Sequence, residues 1–129
     1  TVAKQSGVVD FARFQNAGYV GMYNMPIWQL KRFKRFEGPG SLLDRMGRDE
    51  LAANLFRLTQ TEAKIRNEGI KGQQPLETAA ETVGRIVRNA VMQISGKPPE
   101  HLPLSAPIAD TKKSIKATQR AFKKLDKNK

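Results

Sequence analysis

Apolar residues recur at helical spacing along most of this chain, most clearly over residues 76–94. Leu76, Ala79, Ala80, Val83, Ile86, Val87, Ala90, Val91 and Ile94 follow at steps of mostly three and four, which gathers them on one face of a helix. Pro75 suits the opening turn, where an amide hydrogen has no partner, and Gly96 suits a left-handed last residue. Ala80 and Gly84 are small and four apart, so a neighbouring helix can come close there. Residues 49–68 predict a second long helix. Asp49 can cap it, and Glu50 puts negative charge at the positive end of its dipole. Leu51, Leu55, Leu58 and Ile65 share a face widened by Ala52, Phe56, Thr59 and Ala63, and Gly69 closes the helix. Asn54, Arg57, Thr61, Lys64 and Glu68 fall on another face, which predicts a polar side available for contacts.

The remaining segments are shorter. Residues 7–16 read as an amphipathic helix with Val8, Phe11 and Phe14 inward, ended near Gly18; residues 19–23 read as a packed loop or brief extended piece. Asn24 and Pro26 mark the start of a helix over 27–36, with Ile27, Leu30 and Phe33 as its stripe, stopped by Gly38-Pro39-Gly40. A single turn over 41–46 leads into the long helix. Residues 97–107 hold four prolines and read as extended. A last helix from Asp110 or Thr111 to about Leu125 has only a thin apolar stripe. No segment alternates like a strand. The pattern predicts an all-α fold: a small helical bundle on two long helices, about 48–68 and 75–95, packed against each other. Short N-terminal helices cover them. The expected division is a helical domain over 1–96, a proline-rich linker over 97–109 and a basic helical tail over 110–129.

Charge changes that picture more than composition does. The 129 residues suit one domain with a small aliphatic core, since 39% are hydrophobic. No apolar run approaches the ~20 residues that a membrane span needs. The chain lacks cysteine, which excludes disulfides and thiolate metal sites and points to the cytoplasm. Thr1 in first place reads as a processed end or a segment of something longer. Net charge is +11, which favours an anionic partner. Lys112, Lys113, Lys116, Arg120, Lys123, Lys124, Lys127 and Lys129 crowd the tail against the single acid Asp126, and Lys31, Arg32, Lys34 and Arg35 form a second cluster. Solvated surface accounts for both clusters as well as ligand binding does.

Reactive chemistry is thin. His101 is the only histidine and lies among prolines, and no spacing of acids and histidine suits a metal. Neither an enzyme nor a cofactor site is expected. Gly69-Ile70-Lys71-Gly72 is a GxxG between helices, as in KH domains, but it lacks the strands of that fold and reads better as a helix cap and turn. Arg57, Lys64, Arg66, Lys71, Arg85 and Arg88 would line one basic strip if the long helices pair antiparallel. In residues 31–36, Phe33 and Phe36 alternate with charge, either as a stacking platform or as buried rings under snorkelling cations.

Six blocks in register resemble the bacterial DNA-damage-inducible protein D (DinD) family. They are DFARFQNAGYVGMYN from Asp10, LLDRMG from Leu42, ELAANLFR with TQTEAK from Glu50, VGRIVR from Val83, PEHLP from Pro99 and KSIK from Lys113. His101 stands where the family pattern has an acid, and Ala79-Ala80-Glu81-Thr82 replaces a stretch with a histidine and an aromatic. The resemblance covers the C-terminal region of family members, which carry a further N-terminal region. It implies a non-enzymatic cytoplasmic protein that binds RecA-type recombinase filaments on single-stranded DNA, or another DNA-repair protein. Asn54, Arg57, Gln60, Glu62 and Arg88 would make the contacts, although Asn54, Gln60 and Glu62 equally suit hydrogen bonds that tie helices together. A direct nucleic-acid binder would act through Lys31, Arg32, Lys34, Arg35 and the tail cations, with Lys64 and Arg85 in the strip. A third reading is an antirepressor- or antitoxin-like regulator from a mobile element.

Overall fold

Backbone-to-backbone contact between two helices fixes the arrangement of all the others. The computed structural model describes residues 5–104, 116, 118–121 and 123. Within them α1 runs Phe11–Tyr23, α2 Ile27–Phe33, α3 Arg48–Glu68 and α4 Gln73–Ser95, with 3₁₀ turns at Leu42–Arg45 and Pro99–His101. The described residues form no strand; Met46 and Leu104 make one isolated antiparallel bridge. The all-α bundle expected from the pattern is present, and the long helices start and stop within two residues of their expected limits. Gly69 at φ 61° and Gly96 at φ 73° end them with their amides donating to Ile65 and Met92. Gly47 rather than Asp49 occupies the capping position of α3, and Asp49 lies in its first turn.

The principal packing partner of α4 is not α3 but the N-terminal helix. The Val9 and Asp10 amides donate to Gln73 Oε1 at 2.8 and 3.0 Å. Arg13 meets Glu77 at 3.4 Å, and Arg88 donates to the Met22 carbonyl at 3.1 Å. Contacts therefore advance together along both chains, and α1 runs parallel to α4. Glycine makes this possible. A Cβ on Gly21 would stand 2.2 Å from the Glu81 carbonyl oxygen, and one on Gly84 would stand 2.7 Å from that of Gly18. The small pair Ala80 and Gly84 does admit a close neighbour, and that neighbour is α1.

The same contact corrects the expected N-terminal elements. α1 starts at Phe11, capped by Asp10, whose carboxylate accepts from the Arg13 amide at 3.1 Å. It passes through Gly18 and Gly21 and ends at Asn24, which takes φ 61°. Residues 19–23 are thus helical. The cost of glycine inside a helix, about 1 kcal/mol each, is outweighed by the helix contact it allows. Tyr19, Met22, Tyr23, Leu30, Leu42, Met46, Leu51, Val83 and Val87 form the core. α2 is shorter than expected and buries mainly Leu30.

α3 is rotated away from its hydrophobic pattern, keeping Leu51 and Ile65 of the apolar stripe inside but turning Leu55 and Phe56 out. Glu50, Leu51, Asn54, Arg57, Thr61 and Ile65 are buried, whereas Leu55 and Phe56 are 47% and 57% exposed. The polar face expected to meet solvent is largely the packed one. Of the 97–109 stretch expected to be an extended linker, residues 97–104 form a 3₁₀ turn and a bridge against the body, with Pro99 buried. In the tail, Lys116, Arg120 and Lys123 are helical and exposed; Lys112, Lys113 and Lys124 lie outside the described residues.

Gly84→Ala drives a methyl into the α1 backbone, where no side chain can move aside. Overpacking of this kind costs about 3 kcal/mol, so thermal unfolding should shift down by roughly 10 °C. An equivalent Gly69→Ala change meets open space and should lose only the smaller strain of a left-handed alanine.

Candidate functional site

Polar side chains of α3 converge with α1 and α2 in a buried cluster. Tyr23 donates from its hydroxyl to Glu50 Oε2 at 2.5 Å and accepts from Asn54 Nδ2 at 2.8 Å. Asn54 Nδ2 also donates to the Glu50 carbonyl, and its Oδ1 accepts from Arg57 Nε and Nη2 at 3.1 and 3.0 Å. Lys34 comes in from the end of α2 and pairs with Glu50 at 2.9 Å, both side chains almost fully buried. The Lys34 ammonium also donates to the carbonyls of Pro99 and Leu102. The Arg57 guanidinium lies 4.9 Å above the Tyr19 ring, and Tyr19 stacks on Tyr23. No sealed side-chain nitrogen or oxygen among the described residues lacks a partner. Such a network costs little when complete and a great deal when broken.

Burial governs its proton affinities. Desolvation lifts the Glu50 carboxyl above its usual value, against the pull of Tyr23 and Lys34. Desolvation and the nearby Glu50 push the Tyr23 phenol far up, so it remains a donor. Arg57 is lowered by desolvation, with the two tyrosines opposing. These shifts stem from helix packing. Structural ion pairs produce them as readily as catalytic ones do.

The expected site residues are not brought together. Asn54, Arg57 and Lys34 lie inside the cluster, while Gln60 and Glu62 remain on the outer face of α3. The expected basic strip is broken by local acids: Lys64 pairs with Glu68 at 2.6 Å, Arg66 with Glu62 at 3.7 Å and Arg85 with Glu81 at 2.5 Å. Arg88 holds Glu100 through two bonds, at 2.6 and 3.0 Å, and so clips the chain after α4 back onto the bundle. Lys31 lies over the Phe36 ring, Arg32 and Arg35 are exposed, and Phe33 is half exposed, stacked on His101 with centroids 5.8 Å apart. His101 thus has a packing role that its sequence context did not reveal. What faces outward is a groove between α3 and α4 of about 370 Å³, lined by Phe56, Gln60, Ala63, Lys64, Val83 and Ile86. Phe56 and Ile86 are both more than half exposed. They were expected in the core.

Comparison with known proteins places the chain in a family. The description "DinD C-terminal domain" matches residues 1–117. The chain belongs to the DinD C-terminal domain family. It is 41% identical over 126 residues to DNA damage-inducible protein D of Escherichia coli, covering 92% of this chain and 45% of that protein. The chain thus spans less than half the length of this curated relative. No solved structure matches. The blocks that resemble DinD proteins are the ones that meet in the bundle. Tyr19, Gly21 and Tyr23 come from the first, Asn54 and Arg57 from the third, Gly84 and Arg88 from the fourth, and Glu100 from the fifth. Tyr23 and Glu50 were missed as members of a cluster because residues 19–23 did not read as helix. Their signal was the polar stripe at 50, 54, 57 and 61.

Removing one member of the buried pair leaves the other uncompensated. Lys34→Met should cost about 3–5 kcal/mol in urea unfolding, and the double variant Lys34→Met/Glu50→Gln clearly less, because it leaves no unpaired carboxylate. Because Glu50 titrates above its unfolded value of 4.5 in the folded state, the fold binds its proton more tightly. That contribution is present below pH 4.5 and is lost as pH rises through the raised value. Wild type measured against Glu50→Gln should therefore lose relative stability across that window.

Proposed function

We propose that this chain is a protein-binding module of a bacterial DNA-damage response that acts without chemistry of its own. Its partner is a RecA-type recombinase on single-stranded DNA, or another DNA-repair protein, met in the cytoplasm through the α3–α4 groove. Membership of the DinD C-terminal domain family supports the setting. The observation that carries the reading is the outward placement of Phe56 and Ile86 along one groove. Exposed apolar side chains rimmed by Gln60 and Lys64 suit a protein surface better than a phosphate backbone. On α3 and α4, Lys64, Arg66, Arg85 and Arg88 are already paired with acids and Arg57 is buried.

Two further readings have specific support. A direct grip on single-stranded DNA through the tail is favoured by exposed Lys116, Arg120 and Lys123. An antirepressor- or antitoxin-like regulator is favoured by the same uncovered apolar groove, with a different protein as its occupant.

Phe56→Asp combined with Ile86→Asp should reduce retention on recombinase-coated single-stranded DNA by about ten-fold or more, since truncating central apolar contacts commonly costs over 1 kcal/mol each. Truncation of residues 112–129 should leave that retention largely intact and weaken only salt-sensitive binding to bare DNA. If the truncation abolishes retention and the double variant does not, the tail reading replaces this one. Retention of a transcriptional regulator from cells in place of any repair protein would favour the third.

A further inference from the structure

A second concavity, on the other side of α3, is lined by a cation that is paired with no acid among the described residues. The cavity, about 260 Å³, lies where α1, α2, the Leu42–Arg45 turn and α3 meet. Its walls are mostly apolar, with Phe11, Phe14, Ile27, Leu43, Leu58 and Ile65 among them. Arg57 also lines it, although only 3% of that residue is exposed. The guanidinium has no carboxylate within ion-pair distance among the described residues, because Glu50, the acid in the cluster, is held by Lys34 and Tyr23. Nε and Nη2 are bound to Asn54. Nη1 has no hydrogen-bond partner among the described residues, yet none of their sealed side-chain nitrogens is unsatisfied, so Nη1 is not sealed off, and the residue that carries it lines the cavity. It rests against Gly18, where any Cβ would come within 2.4 Å of it. Glycine at 18 therefore makes room for the free end of the fork.

A buried guanidinium is strongly disfavoured without a counter-charge. The Tyr19 face supplies part of the compensation. An anion supplies the rest most effectively, and a carboxylate matches the unused donor. The apolar walls add a second requirement: the anion must carry a hydrophobic body, and the cavity fits one of about residue size. Lys31 on the lining adds positive potential, and Glu62 there is drawn towards Arg66. We propose that this cavity is a binding site for an apolar monocarboxylate, its hydrocarbon body against Phe14, Leu43 and Leu58 and its carboxylate on Arg57 Nη1. A free aromatic or branched aliphatic acid meets that description, and so does the last residue of a polypeptide ending in an apolar side chain. The site is separate from the α3–α4 groove and does not depend on the function assigned to it.

The test uses the full chain, isotope-labelled, titrated at neutral pH with N-acetyl-phenylalanine and, separately, with its C-terminal amide. The two probes share their hydrocarbon and differ in the charge. The acid should shift the Arg57 Nε–Hε resonance and the amides of Phe14 and Leu58, with the amide probe weaker by about ten-fold or more. Arg57→Gln should bring the acid down to the level of the amide. If that variant does not fold, the acid–amide ratio on the unaltered chain decides alone. A short peptide with a free C-terminal phenylalanine that binds well above the single residue assigns the site to a chain terminus; equal binding assigns it to a free acid. Equal affinity for acid and amide, shifts confined to other residues, or no binding of either probe overturns the proposal.

Discussion

The structure depends on hydrogen bonds that let α3 bury its polar face. Glu50, Asn54 and Arg57 could not enter a protein interior alone, because each would leave a desolvated charge or dipole. They enter because α1 offers the Tyr23 hydroxyl and the Tyr19 ring, and because Lys34 arrives from α2 with a positive charge. Every member satisfies another. Once this face is turned inward, the geometry of a helix forces Leu55 and Phe56 outward, since they sit about 100° and 200° around from Asn54. The apolar surface proposed to meet a partner is thus a consequence of the buried polar network.

That network requires α1 to be placed accurately, and glycine does the placing. Gly21 and Gly84 allow α1 and α4 to touch backbone to backbone, and Arg88 then reaches the Met22 carbonyl at the end of α1. Arg88 also grips Glu100, while Lys34 binds the carbonyls of Pro99 and Leu102. Two long cations therefore tie the segment after α4 to the body from opposite sides. Gly18 has a further part, leaving space for the Arg57 guanidinium.

Much of the fold was legible in the sequence. The extents of α3 and α4 followed from periodicity and from Gly69 and Gly96, because those signals are local. The course of α1 was not legible: Gly18 is a helix stop by propensity and a helix contact in fact, and only the position of Gly84 on a distant segment distinguishes the two. The orientation of α3 was hidden for a related reason. The stripe of Leu51, Leu55, Leu58 and Ile65 overlaps the buried polar face at Leu51 and Ile65, and how far the helix turns towards Glu50, Asn54 and Arg57 depends on Tyr23 and Lys34 elsewhere in the chain. The charges of Lys64, Arg66 and Arg85 were visible, and so were the acids four residues away that neutralise them. The family, in contrast, was legible from short blocks alone, and those blocks proved to be the ones that pack together.

The orientation of α3 is the claim on which the rest stands, and a soluble gadolinium relaxation agent tests it directly. Methyl and side-chain nitrogen resonances would be compared with and without the agent on the labelled chain. The Leu55 methyls should broaden strongly, while Leu51, the Asn54 amide and Arg57 Nε–Hε remain protected. Protection of Leu55 together with broadening of Asn54 and Arg57 would mean that the helix faces the other way, and neither the buried network nor the outward groove would survive that result.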